Sequence, residues 1–256
     1  MKSVKIIYLF LFIFFFSLFS PSFILPQYKT DFTAVYKSLK KPPLTCKEAS
    51  ELTVYDSVTK KFKLDSSIIL LEAQLKKIQS EIAGSLSKME SMKDQFQGQQ
   101  GNMPPPGNMP SPGNGRSQQD FLALREKLDN CRDASDKIME ETDKLQKEIS
   151  AYQENVNKLV KSTLADDSKG RELIINEFLT NVALIYNKHY SVIIQNVNII
   201  EGTLNNNTEQ YISNIMPLTM AVLKCGESEV YGALFLFNIT RECIKTGAKF
   251  YYEANP

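Results

Sequence analysis

Four cysteines and one histidine are the scarcest side chains of this sequence whose types suit covalent or proton chemistry. Cys46, Cys131, Cys225 and Cys243 form no C-x-x-C pair, and with His189 as the lone imidazole no zinc-ligand spacing arises. No metal site or cofactor is expected. An even cysteine count suits disulfides where the compartment is oxidising. Of the three connectivities, Cys225 with Cys243 is favoured, as a staple between two consecutive segments, with Cys46 to Cys131 by elimination. The second bond would close a long loop and contribute about 3–5 kcal/mol. His189, between Lys188 and Tyr190 on a predicted helix, reads as a surface or boundary residue. No serine or cysteine near it stands in a nucleophile motif such as G-x-S-x-G, and no G-x-x-x-x-G-K loop or EF-hand loop occurs. Glu140 and Glu141 read as a solvated helix face. These residues give no reason to expect an enzyme.

The compartment follows from the first residues. Lys2 and Lys5 precede an apolar run from Ile6 to Phe19, the n-region and h-region of a secretory signal. Ser20 and Ser22 suit cleavage after Ser22, leaving 1–22 as signal peptide and Phe23 as the mature N-terminus. The alternative is an uncleaved anchor over Ile6 to Leu25, which Ser17, Ser20 and Pro21 interrupt. Later stretches are punctuated by Glu227, Glu229, Arg241, Glu242 and Lys245, so no second span and no membrane contact after cleavage are expected. The last residues carry neither a GPI signal nor a retention tetrapeptide, which makes release outside the cell the expectation. Two N-x-[ST] sequons fit that route, Asn206 in a loop-like stretch and Asn238 after an apolar run that would half bury it. Asn206 is the better acceptor. A formal charge of +1 excludes a general attraction to nucleic acid, and the basic stretch from Lys29 to Lys63 has no aromatic-interleaved motif.

The elements that would position these residues are mostly helical. After an N-terminal segment (23–63), steps of four and three link Leu64, Ile68, Leu71, Leu75, Ile78, Ile82, Ser85, Met89, Met92 and Phe96, which predicts a heptad helix over 64–97. A weaker seam, Phe121, Leu124, Leu128, Cys131, Ser135, Ile138, Thr142, Leu145, Ile149, Tyr152, Val156 and Leu159, predicts a second over 119–163. Acid-before-base pairs four apart, such as Glu72 with Lys76 and Glu140 with Lys144, support both. The intervening 98–118 repeats a Gly-Asn-Met-Pro unit, through which helix cannot continue, and reads as an extended spacer. The two helices are expected to pair as an antiparallel hairpin.

Residues 168–252 are richer in Ile, Val, Phe and Tyr and predict a helical bundle. Its first helix carries Ile175, Phe178, Val182, Ile185 and Ile193 and ends at Gly202; a second runs from Thr208 to Lys224, disturbed at Pro217; a third runs from Ser228 to Lys245, before Gly247. A strand over Val230 to Phe237 is the alternative reading there. The fold class is all-α, and the expected function is that of a secreted, non-catalytic module that meets a protein partner or a second copy through the heptad helices. The alternative is a carrier of an apolar small molecule lodged in the C-terminal bundle.

Overall fold

The structure, a computed structural model, describes residues 30–98, 118–164, 166–204 and 216–256. The expected signal peptide, most of the spacer and Asn206 lie outside them. The fold is predominantly helical. Two short helices, α1 (Phe32–Ser38) and α2 (Cys46–Glu51), precede a hairpin of β1 (Thr53–Asp56) and β2 (Lys61–Leu64). Four long helices follow: α3 (Ser66–Gly98), α4 (Gln118–Ser162), α5 (Ser168–Leu204) and α6 (Met216–Ala254). Among the described residues no helix is long and apolar enough to cross a membrane.

Local chemistry accounts for the small elements. Asp31 caps α1 by accepting the Ala34 N–H at 2.8 Å, and Thr45 caps α2 by accepting the Glu48 N–H at 3.1 Å. Glu48 reaches back to the Leu44 N–H at 2.8 Å, a variant of the capping box that T-x-x-E spells in sequence. The hairpin turns at Asp56, whose carboxylate accepts the Val58 and Thr59 N–H groups, and at Lys60, which takes a positive φ of 51°. Strands β1 and β2 pair antiparallel with Thr53 opposite Leu64 and Tyr55 opposite Phe62.

Most of the described heptad residues are buried or half-buried, and Leu159, at 55% exposure, departs from its seam. Ile68, Leu75, Ile82 and Met89 on α3, and Leu128, Ile138, Leu145 and Val156 on α4, belong to the core. Their partners differ from the expected hairpin. The principal partner of α3 is α6, whereas α4 packs on α5 and also on α6. A seam records which face is buried and not what covers it, and here α6 offers more apolar surface than either heptad helix can. Val222, Leu223, Val230, Ala233, Leu236, Phe237 and Ile244 are all buried on α6, a helix apolar around much of its circumference and hence central. The polar seam residues have partners too: Ser135 Oγ donates to Ser228 Oγ of α6 at 2.5 Å, and Thr142 Oγ1 to its own helix at Met139 O.

The expected division of the C-terminal region changes as well. Residues 216–254 form one continuous helix, so there is neither a break between Lys224 and Ser228 nor a strand over Val230 to Phe237. Helix α5 continues past Gly202 to Leu204. Gly247, expected just beyond a helix end, lies inside α6, at the place where α2 docks. A Cβ on Gly247 would stand 2.6 Å from Ala49 Cβ and 2.9 Å from Leu179 Cδ1.

Candidate functional site: a lysine-rimmed groove at an open strand edge

The hairpin is fixed to the end of α6 by aromatic contacts. Tyr55 stacks on Tyr252 with ring centroids 4.1 Å apart, Phe62 lies 5.7 Å from the same ring, and Thr53 Oγ1 is 3.0 Å from Tyr252 Oη. The period of two in β2 turns Phe62 and Leu64 inward and leaves Lys61 and Lys63 exposed. Between β2, the first turn of α3 and the α6 surface runs a groove of about 540 Å³, lined by Phe62, Lys63, Leu64, Ile69, Lys245, Thr246 and Lys249. That volume lies within the range of small-ligand sites. Its apolar floor comes from Phe62, Leu64 and Ile69, and its charge from three lysines.

Backbone pairing makes one wall of the groove chemically active. The Asp65 N–H donates to Leu52 O at 3.0 Å, extending the β1–β2 ladder by one pair. Alternation along an antiparallel ladder then turns the N–H and C=O of Asp65, Lys63 and Lys61 toward β1 and those of Phe62 and Leu64 toward the open edge. Those edge groups have no backbone partner among the described residues. On the α6 side of the groove, Lys245 Nζ lies 3.2 Å from Glu242 Oε1 and Lys249 Nζ lies 3.9 Å from Glu253 Oε1, while Lys63 has no ion pair among the described residues. The groove can therefore supply backbone hydrogen bonds, positive charge and apolar contact together.

The residues singled out from the sequence are placed differently. Cys131 of α4 is bonded to Cys225 of α6, with Cα atoms 6.4 Å apart across 94 positions. The favoured pairing of Cys225 with Cys243 does not form, because both lie on one unbroken helix, 18 residues and about 27 Å apart along its axis. The Cys46–Cys131 pairing is replaced as well. Cys46 and Cys243 are free thiols buried in one apolar cluster with Phe178, Leu179 and Val182, and burial pushes each up to about 12. Asn238 is exposed rather than half buried, on the α6 surface, and Thr240 of its sequon is buried with its hydroxyl donating to Lys40 O at 2.9 Å.

His189 is not a surface residue: it is 1% exposed and sits between two carboxylates of α4. Its Nδ1 is 2.8 Å from Glu141 Oε1 and its Nε2 is 3.2 Å from Glu148 Oε1, which also takes a 2.8 Å contact from Lys188 Nζ. The Lys188 hydrogen bond, with His189 beside it, holds the Glu148 carboxyl below the usual carboxylate range. Glu141, expected to be solvated, is therefore part of an α4–α5 clasp, whereas Glu140 is exposed as expected and pairs with Lys144 at 2.8 Å. The seven-residue spacing of Glu141 and Glu148, which puts both on one face of α4, was the available signal. Glu229, which the sequence presents only as a charge on the tail, is buried, and burial together with the Glu201 charge raises its carboxyl well above the ordinary range.

The apolar residues that could have lined a carrier cavity, Ile175, Phe178, Val182 and Ile193 among them, are packed in the core. Among the described residues no cluster of His, Cys, Asp and Glu is arranged to hold a metal ion. Comparison of the chain with protein-family models, with curated proteins and with solved structures finds no match.

Proposed function

We propose that this protein is an extracellular, non-catalytic helical module that binds a protein partner. The observation that carries the reading is the groove, where a strand edge without a backbone partner among the described residues, an apolar floor and three lysines meet on a helical support. The Cys131–Cys225 disulfide between α4 and α6 suits an oxidising compartment, as does the signal-like start of the chain. The described seam residues of α3 and α4 pack mainly against α5 and α6, so in this reading a partner meets the groove rather than the seams. The test is expression of the full chain in secreting cells, with intact-mass analysis of the medium and a binding screen against purified extracellular proteins. Recovery of a chain that begins at Phe23, gains two hydrogens on reduction and binds a protein partner supports the reading. Retention in the cell with four free thiols, or failure to bind any protein in the screen, overturns it.

A further inference from the structure

The geometry points to strand addition: the groove takes an extended, acidic segment of a partner protein as a third strand on β2, with its carboxylates on Lys245 and Lys249. This rests on the interaction-module reading above and names the chemistry of the partner.

The spacings on the two sides of the groove agree. Phe62 and Leu64 offer N–H and C=O groups two residues apart along β2, so their repeat is about 7 Å. Lys245 and Lys249 are four residues apart on α6, one above the other at about 6 Å. An extended segment bonded to the β2 edge sends every second side chain toward α6, at intervals of about 7 Å. Acidic residues at those alternate positions meet the two lysines in register. Glutamate fits better than aspartate, because its methylenes can lie along the exposed Ile69 and the half-buried Phe62 and Leu64. On the opposite face, a third acidic side chain would stand beside Lys63, the directly neighbouring strand residue.

The charges of the groove are available for exchange. Like charges four apart on a helix destabilise it by about 0.2–0.5 kcal/mol, a local cost of the Lys245–Lys249 stack that is offset by pairs with Glu242 and Glu253 on the same helix. Their present partners, Glu242 and Glu253, lie on the same helix, with side chains 58% and 37% exposed, and such surface pairs contribute little. Incoming carboxylates can replace them at small cost. Lysines on an isolated edge strand commonly deter pairing with other sheets. Here two of the three come from a different element and converge on the same edge, so the deterrent applies to basic and neutral strands while acidic ones are admitted.

The experiment uses the full secreted chain and an acetylated, amidated octapeptide of alternating Thr and Glu, with binding read by fluorescence anisotropy and by amide shifts of the protein. Binding should weaken as salt rises, perturb the amides of Phe62 and Leu64, and drop by about tenfold or more in the Lys245→Glu, Lys249→Glu double variant, each tenfold being about 1.4 kcal/mol. The lysine side chains are 44% and 61% exposed, so the variant should keep its helical circular dichroism. It should also gain affinity for the Thr-Lys octapeptide. N-methylation of alternate peptide amides should cost a similar factor, which plain charge attraction would not. Absence of binding at low salt, indifference to N-methylation or to the double variant, or preference for phosphatidylserine vesicles over the peptide would each overturn strand addition. If the peptide fails while a protein partner still binds, only this inference falls; if no partner binds at all, the broader reading falls with it.

Discussion

Replacing Gly247 by alanine tests the docking of α2 on α6, and with it the support of the hairpin. Alanine in a helix interior is favoured over glycine by about 1 kcal/mol. At Gly247 the added methyl would meet Ala49 Cβ at 2.6 Å and Leu179 Cδ1 at 2.9 Å, with Cys46 Cα at 3.4 Å. Ala49 Cβ is rigid on its backbone and Leu179 is fully buried, so relief requires α2 to move. Overpacking of this kind costs about 1–3 kcal/mol, and the rigid Ala49 contact places the site toward the upper end. The net effect should be a loss of about 1–2 kcal/mol after the propensity gain is subtracted. Gly84 is the control, since a methyl there meets nothing within 4 Å on α3, and Gly84→Ala should stabilise by about 1 kcal/mol. Urea unfolding followed by helical circular dichroism separates the two variants, which should move in opposite directions. Alkylation of Cys46 in the native state should also accelerate in Gly247→Ala, because the displaced helix carries that thiol. Equal stabilisation by both substitutions, with Cys46 still protected, would refute the close approach of α2 to α6.

Three other outcomes follow from the same packing. Replacing Cys131 and Cys225 together by alanine should lower stability by about 2–5 kcal/mol, read as a shift of the urea midpoint, and an unchanged midpoint would count against the α4–α6 bond. In the parent protein, iodoacetamide at mildly alkaline pH should label neither Cys46 nor Cys243 until the chain is unfolded, since burial holds both thiols near 12; prompt native labelling would contradict their burial. Glu229 has its carboxyl raised by burial and by the Glu201 charge, so folding takes up a proton between the unfolded and folded values. The stability linked to it is greatest below the unfolded value and falls as pH rises toward the folded one. Glu229→Gln should remove that slope and gain on the parent as pH rises above the ordinary glutamate range, and parallel pH profiles of the two would exclude the effect.

Helical periodicity was legible because it is local. The alternation of Ile68, Leu75, Ile82 and Met89, or of Ile138 and Leu145, specifies a buried face from neighbours on the same helix, and those faces are buried. Pairs such as Glu72–Lys76 and Glu154–Lys158 form for the same reason. Which helix covers a seam depends on surfaces distant in sequence, and there the central α6 displaced the expected α3–α4 pairing. The disulfide changed with it, because Cys225 and Cys243 could be neighbours only if residues 216–254 were broken into two segments. Gly247 looked like punctuation and is a packing residue, a distinction that exists only once α2 lies against it. The groove was the least legible feature. Its floor and its lysines come from residues 62–69 and 245–249, which no short-range pattern connects, and the open edge of β2 is defined by pairing that only the folded chain supplies. Composition and spacing determined the class of fold and the face that each heptad helix buries. Tertiary packing decided the partners, because burial is a property of one surface and contact is a property of two.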